Sequence, residues 1–224
     1  MLTVAVLGAT LLLPACSNAP KTPDWQLESK GAMDRAVAAY FDGNARVETA
    51  ELARARTQLS RTGRVDTVAA AELLHCAARV ASLVFEPCAG FEALRPDATE
   101  AQRAYADYLR GQLAPSRIPL LPTSQQAAAS RSASDASALQ GMEDPLSLLV
   151  AAGVLLQTGK ANPATTRQAV DTASHQGWRR PLLAWLGVQM QRAAQAGQTA
   201  EAERLQRRIT LVQTGPTPAP TTTP

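Results

Sequence analysis

Apolar side chains recur along this chain at intervals of three and four residues, the spacing that gathers them on one face of an α-helix. Met33, Val37, Tyr40 and Phe41 stand at i, i+4, i+7 and i+8, so a first helix is predicted over Asp24 to Asp42, stopped by Gly43. A second runs from Asn44, a side chain suited to the N-cap, to about Thr62, with Val47, Leu52, Ala55 and Leu59 inward. A third is predicted from about Asp66 to Phe85. Its polar residues Glu72, His75, Arg79, Ser82 and Glu86 form one narrow stripe, while Val68, Leu73, Leu74, Val80, Leu83, Val84 and Phe85 cover the rest. A helix apolar over most of its circumference packs on several sides, so this one is expected at the centre of the N-terminal half. Pro87 ends it, because a residue before proline is steered out of the helical region.

Farther along, Asp97 with Glu100 three residues on has the form of a capping box. It is expected to open a helix to about Leu113, with Ala101, Ala104, Tyr105 and Tyr108 on one face. Pro115, Pro119 and Pro122 then break the chain, and Ser124 to Gln140, rich in Ala, Ser and Gln, reads as an exposed marginal helix or linker. Two helices start on an N-cap followed by proline, Asp144-Pro145 and Asn162-Pro163, and run to about Thr158 and Gln176. The first is apolar nearly all round, hence buried. Pro181 to Ala196 turns Leu182, Leu183, Leu186, Met190 and Ala193 inward, and Thr199 to Val212 does so with Ala202, Leu205, Ile209 and Val212. The tail from Gly215 to Pro224 is almost entirely Pro and Thr, too polar to bury anything, and is expected to be disordered.

The predicted fold class is therefore all-α, built of stacked antiparallel helical hairpins in a solenoid-like or irregular bundle. Composition agrees, being rich in Ala and only 4% aromatic. The net charge of +3 is spread along the chain as arginines alternating with acids, without the dense basic block of a nucleic-acid-binding protein.

The first residues add a different kind of signal. Leu2 to Leu13 is an apolar run of about 12 residues, short of the roughly 20 that span a bilayer but suited to the apolar core of a signal peptide. It ends in Leu13-Pro14-Ala15-Cys16, which resembles the lipobox of bacterial lipoprotein precursors in Leu13, Ala15 and Cys16 and departs from it at Pro14. The resemblance implies cleavage before Cys16 and lipidation of that thiol, including the amide-linked acyl chain (palmitate in many members). It implies a mature protein held to a membrane by lipid, and Ser17, which is not Asp, implies the periplasmic side of the outer membrane. The expected organisation is a signal peptide over 1–15, a lipidated tether over 16–23, an N-terminal helical domain over 24–113, a linker over 114–143, C-terminal hairpins over 144–213 and a disordered tail over 214–224.

Two further thiols, Cys76 and Cys88, are disulfide candidates in an oxidising compartment. With the third helix unbroken to Phe85, Cys76 would lie about 13 Å below its end, so a bridge requires the last turn to unwind early. Two separate core thiols are the other reading. A weak repeat is also present. Junctions at Leu59–Gly63, Leu156–Gly159 and Ala194–Gly197 look alike, and Gly153-Val154 and Gly187-Val188 lie 34 residues apart, as in tetratricopeptide repeats, which Pro145 to Val212 faintly resembles.

Candidate chemistry is sparse. His75 reads as a surface-paired residue between Glu72 and Arg79, and His175 as an ordinary partner of Asp171 one turn earlier. No metal-ligand spacing, phosphate loop or nucleophile elbow occurs in the sequence, so neither cofactor nor metal is expected and the chain reads as non-enzymatic. Trp178, Arg179, Arg180 and Trp185 form the one dense aromatic and guanidinium cluster, residue types enriched at binding hot spots; the other reading is a capped helix entry with Trp185 in the core. The expected role is a partner-binding helical module in the cell envelope, with a membrane and an envelope protein as partners and no nucleic acid. The alternative is a protein that binds or processes peptidoglycan, or that holds anionic glycan or lipid.

Overall fold

A computed structural model describes residues 22–130, 137 and 139–214. The expected signal peptide, Cys16 and the Pro/Thr tail after residue 214 lie outside the described residues. Every regular element among the described residues is helical: α1 (Asp24–Asp42), α2 (Ala45–Ser60), α3 (Val65–Ala81), the single turn α4 (Ala89–Glu92), α5 (Glu100–Leu109), α6 (Thr123–Ser130), α7 (Pro145–Gln157), α8 (Pro163–His175), α9 (Arg179–Gln195) and α10 (Thr199–Thr214). Short 3-10 turns lie at Arg95–Asp97 and Pro115–Leu120.

The N-cap signals act where the sequence places them at α2, α7 and α8. The side chains of Asn44, Asp144 and Asn162 accept the N–H groups of Val47, Ser147 and Thr165. The three look-alike junctions share a backbone device as well. Gly63, Gly159 and Gly197 all sit at φ between 66° and 70°, a conformation open to a residue without Cβ.

Helix α3 is the central element, packed against α1, α2, α5 and α7. The approach of α7 is close because Gly153 faces it; a Cβ there would lie 2.5 Å from the Val80 carbonyl oxygen. Gly187, its counterpart 34 residues on, has open space around it. The two glycines of the repeat spacing thus serve different surroundings. Trp185 of α9 is fully buried and donates its indole N–H to the Ala81 carbonyl at 3.0 Å, which joins α9 to the end of α3.

Four expectations are corrected. First, α3 ends at Ala81 rather than Phe85. The Leu83 N–H bonds to Val80 O and the Val84 N–H to Arg79 O, a Schellman closure whose αL position is occupied by Leu83 at φ 61°. That early stop is the condition a bridge requires, and Cys76 and Cys88 are disulfide-bonded with Cα atoms 5.8 Å apart. Second, Glu72 is not on an exposed stripe. It is buried and takes a two-pronged ion pair from Arg56 of α2, at 2.5 and 2.7 Å. Gly90 of α4 lies over it, where a Cβ would fall 2.0 Å from a carboxylate oxygen.

Third, the capping box is two residues later than predicted. Thr99 is the N-cap of α5, and its reciprocal partner is Gln102 rather than Glu100. The Arg95-Pro96-Asp97 stretch is already committed to a 3-10 turn. The same helix stops at Leu109, because Gly111 at φ 66° closes it by bonds to Tyr108 O and Asp107 O through its own N–H and that of Gln112. Fourth, the segment after Pro122 is not exposed on all sides: Gln125 and Ala128 of α6 and Leu139 beyond it are buried, while Ser124, Ala127 and Ser130 face solvent. The Gln125 side chain accepts the Tyr108 hydroxyl at 2.8 Å and donates to Ser147 O at 3.0 Å. One buried cluster runs from Tyr40 through these residues to Ile209, so side chains of both expected helical regions share it.

Candidate functional site

Helices α8, α9 and α10 follow one another through tight glycine turns and pack in sequence, α8 on α9 and α9 on α10. Between them lies a groove of about 530 Å³. Its apolar floor includes Val170, Ala193 and Leu205, each facing the core side of its own helix. Its rim carries Arg167 from α8, Arg192 from α9 and Arg204 and Arg208 from α10, against Asp171 and Glu201.

The four guanidiniums are not equivalent. Arg192 donates to the Ala161 and Asn162 carbonyls at 2.9 and 3.2 Å and to the Thr166 hydroxyl at 2.5 Å, so it ties α9 to the start of α8. Arg204 forms a forked pair with Glu201 one turn away, at 2.6 and 2.8 Å, which holds the Glu201 carboxyl below its ordinary range. Arg167 and Arg208 have no carboxylate within ion-pair distance among the described residues. A groove with an apolar floor and two unpaired cations at its edges suits a segment carrying negative charge beside apolar groups.

The residues singled out in the sequence fall elsewhere. The ring of Trp178 lies against Phe41 of α1, centroids 4.5 Å apart. Arg179 donates to Val212 O and Gln213 O, at 3.1 and 2.7 Å, where the last carbonyls of α10 favour a cation. Arg180 lays its guanidinium over the Tyr40 ring, 4.2 Å from the centroid. The cluster is thus engaged within the fold at the junction of α1, α9 and α10. His75 reaches Glu48 of α2 at 2.8 Å, and its ring meets Tyr40 edge-on. His175 is exposed and forms no ion pair with Asp171; its Nδ1 is 3.5 Å from the Gln176 amide.

Sequence reasoning missed the groove because its arginines come from three helices and each looks unremarkable alone. The one available signal is Arg204 and Arg208, i and i+4, flanking the inward Leu205. No group of three or more His, Cys, Asp or Glu side chains converges to hold a metal ion among the described residues. No described helix is long and apolar enough to cross a membrane. No protein-family model matches the chain, and neither a curated protein nor a solved structure is significantly similar to it.

Proposed function

We propose that this chain is a lipoprotein of the bacterial outer membrane, anchored through Cys16 and facing the periplasm, whose helical hairpins bind a partner protein of the cell envelope. The observation that carries the binding reading is the groove between α8, α9 and α10, apolar beneath and cationic at the rim. In this reading the partner lays an acidic segment along the groove, with Arg167 and Arg208 meeting its carboxylates. The protein acts by holding rather than by catalysis. The disulfide between Cys76 and Cys88 suits a protein that works in an oxidising compartment.

Two measurements test the two halves. Globomycin-sensitive palmitate labelling, lost in Cys16→Ala, is the expected result for the anchor; a protein recovered from the cytosol with its leader uncut refutes it. For the groove, envelope proteins crosslinked to the wild-type chain are compared with those crosslinked to an Arg167→Glu/Arg208→Glu variant. The expected outcome is a specific partner lost from the variant while its helical content is unchanged. Retention of every partner refutes the groove. The excess of guanidinium groups also supports the second reading, an anionic cell-wall glycan or lipid as ligand. Binding of the wild type to isolated sacculi, falling steeply with salt, would favour that reading instead.

A further inference from the structure

We propose that the cavity between the loop after α3 and the ends of α5 and α7 binds the carboxylate-terminated end of a peptide, with the Gln157 amide and the Arg110 guanidinium as its ligands. The cavity holds about 210 Å³. It shares no residue with the groove of α8, α9 and α10, so the inference goes beyond the function proposed above.

Three observations converge. The first is an amide with nothing to bond. Gln157 is the last residue of α7 and lines the cavity, and its Oε1 is buried without a hydrogen-bond partner among the described residues. The donors beside it are committed. Gly111 passes so close that a Cβ there would lie 3.3 Å from Oε1, yet its N–H bonds to Tyr108 O and that of Gln112 to Asp107 O. A buried acceptor left in this way costs free energy that a ligand's donor restores. The second is Arg110 on the cavity wall. The carboxylate it reaches, on Glu92, is 3.9 Å away and is already held in a fork by Arg95. Glu86, the one acid on the wall, pairs with Arg79. The third is an apolar wall set in advance. Phe85 is 38% exposed, the only aromatic side chain so exposed among the described residues, and Pro87 and Leu109 line the cavity with it. The loop that carries Phe85 is fixed at both ends, by the αL turn at Leu83 and by the Cys76–Cys88 bridge, so little freedom remains to be lost on binding.

The chemistry of these groups selects the ligand. A primary amide both accepts and donates, and so matches a peptide group, which does the same. The last torsion of a Gln side chain is broad, so the amide turns to the cavity without leaving its rotamer. A guanidinium matches a carboxylate through two parallel hydrogen bonds. The apolar wall suits a small uncharged side chain. Volume sets the size: pockets for drug-sized ligands run to roughly 300–1,000 Å³, so this one admits a terminal residue or two and not a helix. Proteins and the stem peptides of the cell wall both carry such ends, and they differ in the hand of the last residues.

The test is a calorimetric titration of the full chain with acetyl-L-alanyl-L-alanine, with its D,D counterpart, with the C-terminal amide of each, and with acetate. The side-chain amide resonances of Gln157 report where binding occurs. Saturable binding of at least one acid is expected, with those resonances shifted and with its amide about tenfold weaker, the scale of one hydrogen bond to a charged group. The hand that binds more tightly names the source of the ligand. Gln157→Met replaces an unbonded amide by an apolar side chain of similar shape and keeps the fold; it should weaken acid and amide alike, by about tenfold. Arg110→Gln, at a partly exposed position, should abolish the preference for acid over amide. Acetate binding as tightly as the acids, neither acid binding, or affinities that survive intact in Gln157→Met would each overturn the proposal.

Discussion

The stretch from α3 to α6 and the stretch from α7 to α10 are both helical and share one core, yet they are held in different ways. In α7 to α10 nearly every boundary is a local event. Asp144 and Asn162 cap their own helices, and Gly159, Gly177 and Gly197 turn the chain between them. From α3 to α6 the chain is held by side-chain fastenings between irregular elements: the Cys76–Cys88 bridge, the Arg56–Glu72 ion pair, the Gln125 side chain between α5 and α7. Local signals build hairpins that stack in chain order. Covalent and buried polar fastenings let short, irregular helices pack around a central one without regular hairpin geometry.

Trp185→Ala breaks this comparison most severely, because the indole is a fully buried point where the two stretches meet. Loss of a fully buried Trp costs about 3–5 kcal/mol, and urea unfolding should show both stretches weakened together, in one transition. Removing the disulfide as Cys76→Ser/Cys88→Ser should cost about 2–4 kcal/mol. Hydrogen exchange should rise first from Leu83 to Glu92 and leave α8 to α10 protected; uniform loss of protection would contradict the division.

A finer contrast sets one substitution against itself. Gly153→Ala drives a Cβ into the Val80 carbonyl and should destabilise by about 1–3 kcal/mol. Gly187→Ala meets open space in a helix and should stabilise by about 0.5–1 kcal/mol. Thermal midpoints of the two variants, moving in opposite directions, check it. The smallest effect concerns pH. The Glu92 carboxyl is held below its ordinary value by the Arg95 guanidinium. A folded pKa below the unfolded one contributes stability that is present above the unfolded value, near 4.3, and is lost as pH falls through the folded value. Wild type should therefore lose slightly more stability below about pH 4 than Arg95→Gln does, seen as converging unfolding midpoints.

The same contrast explains what could be read from residues alone. The starts of α2, α7 and α8 were legible because an Asn or Asp side chain and its third following N–H decide them. The end of α3 was not, since Val84 and Phe85 continue the helical pattern while the backbone turns into αL at Leu83, the early stop that the bridge to Cys88 requires. The exposed stripe failed at Glu72 because Arg56, sixteen residues away, compensates a buried carboxylate. Gln125 reads as a surface residue until Tyr108 and Ser147 are seen to complete its hydrogen bonds. Of the candidate site, the aromatic and arginine cluster was visible as composition, but that it is occupied within the fold required Phe41, Tyr40 and the end of α10. The groove's arginines depend on the stacking of three helices, which no window of sequence contains.

The hydrogen bond from Trp185 to Ala81 spans 104 residues, and it bears on the order of assembly. A chain emerging amino end first has α1, α2 and α3 in hand long before the indole arrives that closes the top of α3. The hairpin of α1 and α2 needs only its own neighbours, so it can settle at once. Only the end of α3 must wait until α9 has emerged, since α1, α2, α5 and α7 come earlier to its other sides. A protein made this way profits from a chaperone that shields that end in transit.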